Sequence, residues 1–119
     1  MTLQECYSII GNYNEVMKRL PRETMVIKFI MKFLDDKSYE QLMTAIENSD
    51  YQSAFMAAHT IKGVCQNLSF TRLYDSSHLI TEALRNENPD ISLISELAGK
   101  VREDYEITVN TIKTFRDEQ

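Results

Sequence analysis

Apolar residues recur along nearly the whole chain at intervals of three and four, the period of a helix with one face in a core. Leu3, Cys6, Tyr7 and Ile10 give a first short stripe that stops at Gly11. Tyr13, Val16, Met17 and Leu20 give a second, opened by Asn12 with Glu15 three residues on, in the form of a capping box, and bounded by Pro21. Val26, Phe29, Ile30, Phe33 and Leu34 make a third stripe. It is interrupted at Asp35-Asp36-Lys37 and resumes with Tyr39, Leu42, Met43 and Ile46 behind a Ser38/Gln41 cap. This predicts a bundle helix over 22–48, kinked near Asp35. Asn48-Ser49-Asp50 is a turn cluster with Asp50 as N-cap of a helix over 51–69.

A further helix follows over 71–87, with Leu73, Ser77, Ile80, Ala83 and Leu84 inward, and Asn86 to Asp90 form the last break. The final segment, 90–117, places Ile94, Val101, Thr108 and Phe115 at steps of seven with Ala98, Tyr105 and Ile112 between them, the seam of a long packed helix. Long amphipathic helices with short connections bury their stripes by lying antiparallel. The expected fold is therefore all-α: an antiparallel up-down four-helix bundle over 22–117, with short extra N-terminal helices over 1–21 capping it, in a single domain spanning 1–119.

Composition narrows the function. Only 3 Gly and 2 Pro occur in 119 residues, too few for the turns of an all-β fold. A net charge of −5 disfavours a general nucleic-acid binder, which needs clustered Lys and Arg. No apolar run reaches the ~18 residues of a membrane span, and the N-terminus lacks the basic-then-apolar pattern of a signal peptide, so a cytoplasmic location is expected. Cys6 and Cys65 suggest neither a disulfide framework nor a metal cluster.

The helix over 51–69 carries the candidate chemistry. On a wheel of ~100° per residue, Ala54, Ala57, Ala58, Ile61, Val64, Cys65 and Leu68 fall within about 60° of Ile61, while His59 falls at about 160°, facing away from the core. Gly63 and Gln66 share its side, Met56 lies nearby, and Lys62 is about 60° away and one turn along. A glycine inside a helix costs about 1 kcal/mol relative to alanine, which implies that space is needed there. A lone exposed His is ordinarily a solvated residue, but Lys at i+3 and Gly at i+4 follow a random His in only about 0.5% of cases. His78, followed by Leu79-Ile80-Thr81-Glu82, has neither and reads as a surface residue. Neutral imidazole is a nucleophile near pH 7 and can hold a phosphoryl group on nitrogen, with Lys62 offsetting its charge and Gln66 as a hydrogen-bonding partner. Met56, Phe55, Met25, Phe70 and Tyr74 are candidates for an apolar docking ring around the histidine.

The stretch Ala57-Ala58-His59-Thr60-Ile61-Lys62-Gly63, followed by Asn67-Leu68-Ser69-Phe70 and Leu73, resembles the histidine-containing phosphotransfer (HPt) domain family. Ser69 departs from the family's usual glycine. The resemblance implies a phosphorelay intermediate that accepts a phosphoryl group from a receiver-domain aspartate onto His59 and passes it to another receiver. Lys62 and Gln66 would position and neutralise the group, and Gly63 would give the partner room. It implies receiver domains of response regulators or hybrid sensor kinases as partners, no ATP-dependent kinase activity, and no cofactor or metal on this chain, Mg²⁺ belonging to the receiver. A monomer is expected. Two alternatives stand beside it: the phosphoacceptor domain of a chemotaxis-type kinase, suggested by Phe70-Thr71, Leu73 and His78-Leu79, and a non-transferring adaptor that only binds kinase or receiver domains.

Overall fold

The computed structural model describes all residues 1–119 and is entirely helical. Seven helices follow one another: α1 (Leu3–Ile10), α2 (Tyr13–Arg19), α3 (Glu23–Phe33), α4 (Ser38–Glu47), α5 (Tyr51–Leu68), α6 (Thr71–Leu84) and α7 (Ile91–Asp117). Connections of only two to six residues turn α4, α5, α6 and α7 back and forth into an antiparallel bundle. At ~1.5 Å per residue the 27 residues of α7 span about 40 Å, nearly the 44 Å long axis of the molecule.

The expected single helix over 22–48 is instead two helices. Leu34 to Lys37 form a turn, because Leu34, Asp35 and Asp36 N–H groups bond carbonyls only three residues back, at 3.0–3.2 Å. The cap at its restart also differs. Ser38 is the first residue of α4, buried, and its N–H donates to Asp36 Oδ1 at 2.8 Å. The break lets α3 swing across the bundle and bring Phe33 edge-on to Phe70, 5.2 Å between centroids. Tyr39 of α4 stacks flat on Tyr105 of α7 at 3.8 Å, closing the bundle on that side.

The buried seam of α7 carries two threonines, Thr108 and Thr111, and one charge. Asp104 is 2% exposed, 3.6 Å from Arg72 Nη1 and 3.9 Å from Lys100 Nζ. An ion pair of this kind offsets the desolvation of its carboxylate without adding much stability. The step-of-seven reading overlooked this residue and gave its neighbour Tyr105 the inward place, which is only half-buried.

The N-terminal helices tie down the turn between α5 and α6. Tyr7, fully buried, donates its hydroxyl to Leu68 O at 2.8 Å, and Asn12 N–H donates to Ser69 O at 3.0 Å. A Cβ on Gly11 would lie 2.0 Å from that same Ser69 oxygen, so the first helix ends in glycine because a backbone passes there. Ser69 is left-handed, φ 54°, ψ 39°, a conformation that costs a residue with Cβ roughly 1–2 kcal/mol. Its hydroxyl offsets part of this cost, accepting from Arg19 Nη1 at 2.6 Å and donating to Glu15 Oε1 at 3.3 Å. Burial pushes the Cys6 thiol up to about 11 and raises that of Cys65 as well, as expected of small core residues.

Replacement of Gly11 by alanine is expected to destabilise the fold by about 1–3 kcal/mol in urea denaturation, since the clash is with backbone. Unchanged stability would contradict the close approach.

Candidate functional site

Helix α5 is capped by Asp50, whose carboxylate accepts the Ser53 N–H at 3.1 Å; this hydrogen bonding holds its carboxyl below the usual range. Ala54, Ala57, Ala58, Ile61, Cys65 and Leu68 are buried, and Val64 is half-buried at the edge of this face. The small alanines let α4 and α6 approach α5 from either side. With that face fixed, the rotation of the helix leaves no freedom to the rest: His59, Met56, Thr60, Gln66 and Asn67 are exposed. Met56 is 64% exposed. A Cβ placed on Gly63 meets nothing within 4 Å, so the position is open rather than tight.

Phe55 is half-buried and its ring lies nearly parallel to that of His59, 6.0 Å between centroids and 16° between planes. The guanidinium of Arg85, from the end of α6, sits 5.1 Å over the Phe55 ring. Arg85 Nε is 3.1 Å from Glu82 Oε1. That hydrogen bond holds the Glu82 carboxyl below the usual range, and the charges of Arg85, His78 and Lys62 act in the same direction. Lys62 is half-buried, and its charge acts on the Glu82 carboxyl of α6. Gln66 borders a hollow between α5, α6 and α2 with Glu15, Arg19, Ser69, Tyr74 and Asp75.

Several expected site residues are thus brought together on one side of α5: His59, Lys62, Gly63, Phe55 and Met56. Others are not. Phe70 is a correction: it is 0% exposed, packed against Phe33 and Tyr7, and cannot be part of a docking ring. The physical reason is the tie between Gly11, Asn12 and Ser69, which draws the α5–α6 turn under the N-terminal helices and turns this ring inward. Met25 is exposed on α3, but Phe29 rather than Met25 lines the hollow beside Val64 and Asn67 of α5. His78 is also corrected from a surface residue. It is half-buried, stacked on Tyr74 at 6.0 Å, and its Nδ1 is enclosed without a hydrogen-bond partner. Sequence reasoning missed Glu82 and Arg85. Their i, i+3 spacing signals an ion pair on α6, but not that it lies across from His59.

The family model of the Hpt domain matches residues 35–108, from the turn before α4 through α5 and α6 into α7. The match covers more than half of the chain, and the chain belongs to the Hpt domain family. No curated protein and no solved structure matches it. Hpt domains carry out histidine phosphotransfer in phosphorelays and interact with receiver domains and kinases. No helix here is long and apolar enough to cross a membrane.

Exchange of Gly63 for glutamine is expected to leave helicity and stability within about 1 kcal/mol, since the position is open, while obstructing a partner's approach to His59. The far-ultraviolet circular dichroism and the rate of phosphate transfer from a receiver test this. An unchanged transfer rate would remove the steric role assigned to the glycine.

Proposed function

We propose that His59 is the phosphoacceptor, taking a phosphoryl group from the aspartyl phosphate of one receiver domain and delivering it to the aspartate of another. The observation that carries this reading is the exposed imidazole of His59 on a helix whose rotation is fixed by its buried face, beside the side-chain gap at Gly63. In the forward step a ring nitrogen attacks phosphorus. The N–P bond forms, the P–O bond to the receiver's aspartate breaks, and that aspartate leaves as a carboxylate. The proton of the other ring nitrogen passes to water when the phosphoimidazole returns to its neutral form. The reverse sequence loads the next receiver.

Lys62 offsets the charge that the transferred group brings, a contribution of the electrostatic kind that costs no reorganisation when the donor is already in place. Gln66, two turns along, positions an oxygen or the far ring nitrogen. Gly63, Met56 and Phe55 form the nearer docking surface, and Met25 of α3 belongs to its outer part. Mg²⁺ is supplied by the receiver, and the protein acts as a cytoplasmic monomer with no ATP-dependent step of its own.

Mixing the protein with a radiolabelled, phosphorylated receiver domain tests the reading. Wild type should acquire acid-labile, base-stable phosphate and His59→Gln should acquire none. Binding to the receiver without any transfer would point instead to an adaptor. Lys62→Ala should slow transfer about tenfold, equivalent to about 1.4 kcal/mol in the barrier, with stability changed by no more than about 0.5 kcal/mol. A stability loss of about 2–5 kcal/mol, the size of a core truncation, would contradict the placement of Lys62 off the core face.

A further inference from the structure

We propose that Glu82 is a positioning residue of the site: its carboxylate holds Arg85 until a phosphoryl group on His59 displaces it. This rests on the reading of His59 as phosphoacceptor. The geometry is a short chain of contacts running from α6 to the imidazole. Glu82 Oε1 receives Arg85 Nε at 3.1 Å, the Arg85 guanidinium lies 5.1 Å over the Phe55 ring, and that ring lies 6.0 Å from the ring of His59. Arg85 is therefore one aromatic ring away from the imidazole, resting on a face that attracts cations. Both members of the ion pair are about half exposed, at 49% and 46% of their side-chain surface, so neither is locked in place. Lys62 lies close enough to Glu82 for its charge to act on that carboxyl.

In the unphosphorylated protein the Glu82 carboxylate thus holds the guanidinium that rests on the Phe55 ring. A phosphoryl group alters the balance, because it carries about two negative charges and three acceptor oxygens, against one charge and two oxygens on Glu82. The guanidinium fork fits such a group in a bidentate manner, and it is free to move because the pair it leaves is an exposed one. Glu82 then stands as an uncompensated like charge beside the phosphoryl group. Its effect is to keep the N–P bond from becoming too stable, which suits a carrier that must give the group away as readily as it accepts it.

The exchange of phosphoryl between His59 and free imidazole measures this directly. The protein is equilibrated with N-phosphoimidazole and imidazole at a fixed ratio. The N–P bond of the small molecule breaks as that of His59 forms, and ³¹P NMR reads the phosphorylated fraction. Glu82→Gln should raise the equilibrium constant for phospho-His59 by about two- to fivefold at low ionic strength, the range of an exposed ion pair, and less at high salt. Glu82→Asp, which keeps the charge, should stay near wild type. Arg85→Gln should lower the constant, and Glu82→Gln should have a reduced effect in the Arg85→Gln background. An unchanged or lowered constant in Glu82→Gln would overturn the inference while leaving the phosphoacceptor assignment intact. Failure of wild-type His59 to take up phosphate, with His59→Gln as control, would overturn that assignment and the inference with it.

Discussion

The rotation of α5 about its own axis is the constraint on which the rest of the structure depends. Ala54, Ala57, Ala58, Ile61, Cys65 and Leu68 are all buried. Turning the helix by half a revolution would expose Ile61 and Leu68, at about 1.5–3 kcal/mol for each large side chain, before any cavity is counted. It would also drive His59 and Gln66, both polar, into a close-packed interior where neither has a partner. The imidazole is therefore held toward water by the burial of its neighbours, with no dedicated contact needed to aim it. The polar side of the helix is free to carry chemistry because the apolar side carries the stability.

The end of α5 is held with similar economy. Leu68 and Ser69 each give a carbonyl to the N-terminal helices, one to the Tyr7 hydroxyl and one to the Asn12 N–H. Gly11 permits the approach, and Arg19 and Glu15 grip the Ser69 hydroxyl. Ser69 thus occupies a left-handed turn position that a glycine would take without strain, and its side chain gives back hydrogen bonds that a glycine could not. Helices α1 and α2 are in this way part of the support of the site, although the family match begins only at residue 35.

Much of this was legible in the sequence because the relevant signals are periodic and local. The helix over 51–69, the Asp50 cap, the outward direction of His59 and the seam of α7 other than at Asp104 and Tyr105 follow from spacing, and the structure places them accordingly. What was not legible depends on contacts between elements distant in the chain. Phe70 looked available for docking, since nothing in its neighbourhood announces that Gly11 and Asn12 close over the turn beside it. His78 has an outward wheel angle, yet Tyr74 and the packing of α6 cover one of its nitrogens. The break at Leu34 to Lys37 was visible as polar residues, but whether they bend a helix or end it is decided by where α3 must go to bury Phe33. Arg85 reaches the site only because antiparallel packing brings the end of α6 back alongside Phe55.

The central claim is that the His59 ring stands open to attack and to a partner, whereas the only other imidazole is half-buried with its Nδ1 enclosed. The acylation of the two rings by diethyl pyrocarbonate, followed residue by residue by mass spectrometry of the folded protein, tests it most directly. The account predicts that His59 is modified at least several times faster than His78, and that the difference disappears in denaturant. Equal rates in the folded state, or a His59 slower than His78, would contradict it.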